Sequence, residues 1–230
     1  MRKTLIIAGS IILVAIIFFV AKSFQVNAPG ASPDNQMPVQ NSVSSENSFI
    51  PSSENIAKNN PVSNGFVSLL DRASERIIKK PFGIFATPEN SPVQPENFHG
   101  YHTGTDFEIF PEELNAGVPA KAVCTGKLLM KKMATGYGGV AVQSCSANNQ
   151  QMTVVYGHLK LASISANTGD DITAGDTLGI LGKAYSTETD GERKHLHLGF
   201  HKGAAINILG YVQNKSELSG WLDPCQYVCQ

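Results

Sequence analysis

Charge is scarce in this chain, and neither sign dominates. Asp, Glu, Lys and Arg make up 16% of the residues, with a formal net charge of -1 at pH 7. That balance excludes the broad basic surface of a nucleic-acid-binding protein. Cysteine is nearly as sparse: four residues, all beyond position 123, with no C-x-x-C pair among them. A site built from four cysteine thiolates around zinc is therefore disfavoured, and so is a lipoprotein anchor near the N-terminus. There is also no H-E-x-x-H helix signature, which removes the glutamate base of one large class of metallopeptidases.

The shortage of charge has a local origin. Thr4 to Ala21 is an unbroken uncharged run of eighteen residues, preceded by Arg2 and Lys3 and followed by Lys22. As a helix it would rise about 27 Å, close to the hydrocarbon thickness of a bilayer. The run exceeds the usual apolar core of a signal peptide, and the nearest cleavage candidate, Val26-Asn27-Ala28, is followed by Pro29. Residues 1–22 are thus expected to be a membrane anchor, an uncleaved signal anchor being favoured over a signal peptide. The basic residues before the run place the remainder outside the cytoplasm. Residues 23–64 are rich in Asn, Ser, Pro and Gln with few large apolar groups, the composition of a disordered linker. A coil of this length reaches roughly 35 Å. An extracytoplasmic location suits two disulfides, and local pairing is expected: Cys124 with Cys145, which lie in strand-like runs, and Cys225 with Cys229.

From residue 65 onward the pattern is that of short strands. Ala120 to Met133, Gly139 to Cys145, Met152 to His158, Thr177 to Leu181 and His195 to His201 are rich in Val, Ile, Leu and Tyr. Gly136-Tyr137-Gly138-Gly139 and Ala147-Asn148-Asn149 punctuate them as turns. An antiparallel all-β domain is expected over residues 65–224, with residues 225–230 as a C-terminal tail. Gly65 to Lys79 reads equally as a short amphipathic helix or an extended lead-in.

Four of the six histidines fall in three short signatures, His102-Thr103-Gly104-Thr105-Asp106, Tyr156-Gly157-His158 and His195-Leu196-His197. Imidazole and carboxylate are expected zinc ligands, and a catalytic zinc site uses three protein ligands with a position left open. In a strand His195 and His197 project side by side while Leu196 and Leu198 face the core. His102 and Asp106 flank Gly104, more in keeping with a turn entering a strand than with a helix. His158 ends an apolar strand, at the rim of a groove. His99 and His201 read as ordinary satisfied polar residues.

These signatures resemble those of the lysostaphin and LytM-type zinc endopeptidases of the bacterial cell wall: His102 to Phe107 as H-x-G-x-D-F, Tyr156 to Leu159 as Y-G-H-L, and His195 to Leu198 as H-L-H-L. Gly169 to Gly182 is similar to that family's glycine-spaced hairpin, and Lys80-Pro81-Phe82-Gly83 to its opening strand. The resemblance implies an antiparallel β fold with a long open groove, with His102, Asp106 and His197 as ligands of Zn2+. It implies His158 and His195 as the catalytic pair, and a peptide bond of peptidoglycan stems or cross-bridges as substrate. The alternative it carries is a catalytically silent, wall-binding regulator of other hydrolases, a role taken by relatives that have lost ligands. The chain departs from the family in a proline-rich insertion, Thr87 to Pro95, expected to form a groove wall. A lipoyl-type carrier, suggested by Met130-Lys131-Lys132-Met133, is disfavoured because both lysines lie inside a strand-like run.

Overall fold

A computed structural model describes residues 65–229. The expected anchor at 1–22 and linker at 23–64 lie outside the described residues. Among the described residues no helix is long and apolar enough to cross a membrane.

Strands dominate, as the alternating pattern requires. In chain order they are β1 (Phe85–Ala86), β2 (Gly100–His102), β3 (Gly104–Glu108), β4 (Pro119–Lys121), β5 (Gly126–Ala134) and β6 (Gly138–Ala147). β7 (Gln150–Gly157), β8 (Asp171–Ile172), β9 (Thr177–Ile180), β10 (His195–Lys202), β11 (Tyr211–Val212) and β12 (Trp221–Leu222) follow, and a single α-helical turn, α1 (Cys225–Val228), closes the chain. The main sheet runs β12-β10-β7-β6-β5-β8, with β3 on the same edge of β10 as β12. All of these pairings are antiparallel. Between β6 and β7 the turn is made by Asn148 and Asn149 at φ 50° and 62°. Asparagine tolerates that left-handed backbone, and the two-residue turn matches the twist of the strands it joins.

The two faces of the main sheet have different work. Leu196, Leu198 and Phe200 of β10, with Val154 and Tyr156 of β7, point into the larger hydrophobic cluster. On the opposite face Val140, Val142 and Val155 pack with Tyr137 and Trp221, and His195 and His197 of β10 share that face by strand alternation. The Tyr156 hydroxyl is buried in the larger cluster, where it donates to Gln143 Oε1 at 2.7 Å and accepts from Val123 N at 2.9 Å; Gln143 Nε2 donates to Cys124 O at 2.7 Å. Replacing Tyr156 by Phe strips partners from both groups. It is expected to lower stability by about 1–3 kcal/mol, read as a fall in the chemical-denaturation midpoint at unchanged slope.

Several expectations are refined here. The run from Ala120 to Met133 is not one strand: β4 pairs with β9 and β5 with β6, and Cys124 sits in the connection between them. Cys124 is bonded to Cys145 and Cys225 to Cys229, the local pairing expected. The stretch Gly169 to Gly182 is not a self-paired hairpin, because β8 pairs with β5 and β9 with β4. Its apolar side chains, Ile172 and Leu178, are drawn to the core from two strands rather than to each other. Lys80 to Gly83 forms no strand, yet it docks along the site, with Gly83 N donating to His102 O and Asp106 N to Lys80 O. Of the stretch from Gly65 to Lys79, only Ala73–Arg76 forms a helical (3₁₀) turn. At the other end, Tyr227 of α1 packs its ring 5.1 Å from that of Phe66 and 5.4 Å from that of Phe200.

Candidate metal and catalytic centre

Register brings the expected ligands together. His197 of β10 lies directly opposite Asp106 of β3, and Thr103 alone separates β3 from β2, which ends at His102. That short bend is held where Thr103 N donates to Gly210 O. The approach is close enough to require two glycines. A Cβ at position 104 would meet the His197 ring at 2.7 Å as well as the Leu198 carbonyl, and one at 157 would drive into the Tyr137 ring. A side chain at 104 would displace the His197 imidazole, and one at 157 the Tyr137 ring beside it.

Three donor atoms converge. His102 Nε2 is 3.0 Å from His197 Nδ1 and 3.3 Å from Asp106 Oδ1, and His197 Nδ1 is 3.2 Å from the same oxygen. Zinc bonds of about 2.0–2.1 Å in a tetrahedron imply ligand separations of roughly 3.3 Å. The donor set therefore fits zinc in both chemistry and spacing. The outer nitrogens are held as ligating imidazoles usually are: His102 Nδ1 donates to Pro81 O at 3.3 Å, and His197 Nε2 lies 3.3 Å from the Tyr137 hydroxyl. Burial pushes the His197 imidazole down to about 4, so it stays neutral and able to ligate. Burial alone would raise the Asp106 carboxyl, but the imidazoles of His195 and His102 outweigh it and hold the group well below its ordinary value. Burial raises the Tyr137 phenol, which keeps its proton.

His195 and His158 stand beside this cluster, their rings 4.2 Å apart. His195 Nδ1 donates to the Arg193 carbonyl at 2.9 Å, leaving Nε2 facing Asp106 Oδ2 at 3.3 Å. His158 follows β7 with φ 63°, a backbone region that costs a residue with a Cβ about 1–3 kcal/mol. Among the described residues its buried Nδ1 has no hydrogen-bond partner. Burial, aided by His195, holds its imidazole well below the ordinary histidine range. All five groups line a cavity of about 290 Å³ together with Tyr137 and Tyr211.

Residues 100–208 match the model of peptidase family M23. Over that span, which holds all five site residues, the chain is similar to peptidase family M23. Among solved structures it is similar to the catalytic domain of the antimicrobial peptidase lysostaphin from Staphylococcus simulans, at 20% identity over 67% of this chain and 93% of that one, TM-score 0.45. It is similar also to LytU, at 23% identity over 65% of this chain and 84% of that one, TM-score 0.43. A third is the prophage-encoded M23 protein EnpA from Enterococcus faecalis, at 21% identity over 49% and 76%, TM-score 0.35. No curated protein matches the chain.

The site also contains residues that the sequence signatures do not include. Arg193 Nη2 donates to Asp106 Oδ2 at 2.9 Å, and its Nε reaches both oxygens of Glu108 at 2.9 and 3.0 Å. The two Asp106 oxygens are thereby given separate tasks, Oδ1 toward His102 and His197 and Oδ2 toward the guanidinium and His195. Burial would lower the Arg193 guanidinium, but the carboxylates of Asp106 and Glu108 raise it further. Tyr137 was visible only as part of a glycine turn. Buried Lys80 pairs with Glu96 and donates to the Tyr211 hydroxyl at 3.0 Å, tying the far end of the proline-rich insertion to the site. The insertion itself walls a neighbouring cavity of about 390 Å³ through Pro92, Val93, Gln94 and Pro95. His201 packs edge-on against Trp221, and His99 pairs with Gln213 and stacks edge-on against Phe85 at the mouth of the first cavity.

Proposed function

We propose that this protein is a zinc-dependent endopeptidase that hydrolyses peptide bonds in peptidoglycan stems or cross-bridges. The observation that carries the reading is the triangle of donor atoms from His102, Asp106 and His197, with edges of 3.0, 3.2 and 3.3 Å, next to two further buried histidines. Zinc held by those three residues would supply a Lewis acid to polarise the scissile carbonyl and to make a neighbouring water more acidic.

The chain's own groups then have distinct parts. With Nδ1 committed to the Arg193 carbonyl, His195 turns Nε2 toward the cluster, placed to take the proton of the attacking water. His158, kept neutral by burial and with Nδ1 unpartnered among the described residues, is placed to donate a hydrogen bond to the oxygen that gains charge as the carbonyl becomes tetrahedral. The same histidines can return the proton to the departing amine. Tyr137 and the Pro81 carbonyl fix the orientation of the ligand imidazoles.

The proposal includes location: an N-terminal membrane anchor and a flexible linker carry the domain in the cell envelope, outside the cytoplasm, where disulfides persist. The test is direct. The purified protein is expected to hold about one equivalent of zinc, to release soluble fragments from isolated peptidoglycan, and to lose that activity on chelation and regain it with added zinc. Zinc retained without cleavage of any of several wall types would turn the reading toward the silent regulator. A fully folded protein that takes up no zinc would overturn it.

A further inference from the structure

The charged groups around the two adjoining cavities pair off, with one exception. Arg193 is held by Asp106 and Glu108, and Lys79 reaches Glu108 at 3.5 Å. The Lys80 ammonium is shared between Glu96 and Tyr211, while that of Lys194 is directed to the backbone carbonyls of Glu113, Leu114 and Ala116. Glu192 has no such partner. It is 8% exposed and lines both cavities, and among the described residues its carboxylate receives one long hydrogen bond, from Asn97 Nδ2 at 3.5 Å, and no ion pair.

The backbone at this carboxylate is firmly set. Glu192 N donates to Thr189 O, while Glu192 O accepts from Tyr185 N at 2.8 Å and from Thr189 Oγ1 at 2.8 Å. The carboxylate opens to both cavities, and an oxygen that no cation of the chain neutralises there is open to one brought by a ligand. Every nearby lysine and arginine is already engaged, so a cation brought by a ligand would meet this carboxylate without a competitor from the chain.

We propose that Glu192, assisted by Asn97, is a subsite for an ammonium group of the peptide substrate, at the junction between the catalytic cavity and the cavity walled by the proline-rich insertion. A guanidinium suits it less well, because a bidentate fork needs two free carboxylate oxygens and one already faces Asn97. An ammonium is a compact point donor with three hydrogens, which the second oxygen and the Asn97 side-chain oxygen can share. The subsite rests on the peptidase reading above and narrows its substrate class: peptides carrying a free amine, on a side chain or at an N-terminus, a short distance from the bond to be cut.

Peptide binding to the zinc-loaded full chain, in a His195→Ala background so that bound peptide persists, tests this. Three probes are needed: an N-terminally acetylated peptide amide with one lysine, its Nε-acetyl-lysine counterpart, and a lysine-free peptide with a free N-terminus. One of the amine-bearing probes is expected to bind about tenfold to a hundredfold more tightly than the doubly blocked one. Which of the two binds tightly identifies the source of the amine. Glu192→Gln, nearly isosteric, is expected to erase that difference while leaving binding of the blocked peptide unchanged. Binding indifferent to acetylation, or a Glu192→Gln loss equal for free and blocked peptides, would overturn the subsite, and the acetylation arm holds even if the variant folds poorly. Cleavage by the unmodified chain is scored separately: amine-selective binding without cleavage counts against the hydrolase alone, and cleavage without amine selectivity counts against the subsite alone.

Discussion

A His195→Ala protein is expected to keep its zinc and lose its activity, with kcat on isolated peptidoglycan lower by about 10²–10⁴-fold, the range supplied by a positioned general base. His195 lies outside the triangle of ligand atoms: its Nε2 approaches Asp106 Oδ2, the oxygen turned away from His102 and His197. His195 is the first residue of β10, and the pairing of that strand with β3 and β7 runs through backbone atoms from there to Lys202. The ligand register should therefore survive. Metal analysis beside the kinetics decides the matter. If zinc is lost together with activity, His195 belongs to the metal set and the division of labour is wrong. If both persist, the base is elsewhere, and His158 becomes the candidate.

The alternation that separates His195 and His197 from Leu196 and Leu198 could be read directly from four consecutive residues, since it depends only on strand geometry. Leu196 and Leu198 are fully buried in the larger cluster, as that reading requires. The Asn-Asn turn and the limits of β6, β7, β9 and β10, to within about two residues, were legible for the same local reason. The meeting of His102, Asp106 and His197 was not. It depends on β10 pairing with β3 across 91 residues, a register that no local period encodes and that only resemblance suggested.

Long-range pairing also explains what was missed. Nothing near Arg193 in the sequence points to Asp106, 87 residues earlier, and a buried guanidinium looks no different from a solvated one in a sequence. The arms of Gly169 to Gly182 have the spacing of a hairpin, but their partners are β5 and β4, which precede them by some 50 residues. The break in Ala120 to Met133 arises because Val123 and Cys124 are buried between two strands that belong to different sheets. Hydrophobic content marks both as interior without marking the corner.

Arg193→Ala is expected to weaken zinc binding by about tenfold to a hundredfold, the usual effect of removing a group that orients a ligand. Asp106→Ala, which leaves two ligands where three are needed, should retain almost no zinc. Competition with a chromophoric chelator measures both. The Arg193 effect has two components that can be separated. Its guanidinium fixes Asp106 Oδ2, so its loss frees the carboxylate to rotate and withdraw Oδ1 from the histidines. It also neutralises buried Glu108, which would keep only Lys79 at 3.5 Å, so Arg193→Ala should lower folding stability by about 3–5 kcal/mol as well. Adding Glu108→Gln to Arg193→Ala removes the stranded charge and should recover part of that stability without restoring zinc affinity. Arg193→Lys, a point charge unable to span both carboxylates, should restore neither fully. If affinity recovers in step with stability in the double variant, Arg193 acts only through the fold; if stability recovers alone, its contact with Asp106 is what sets the ligand in place.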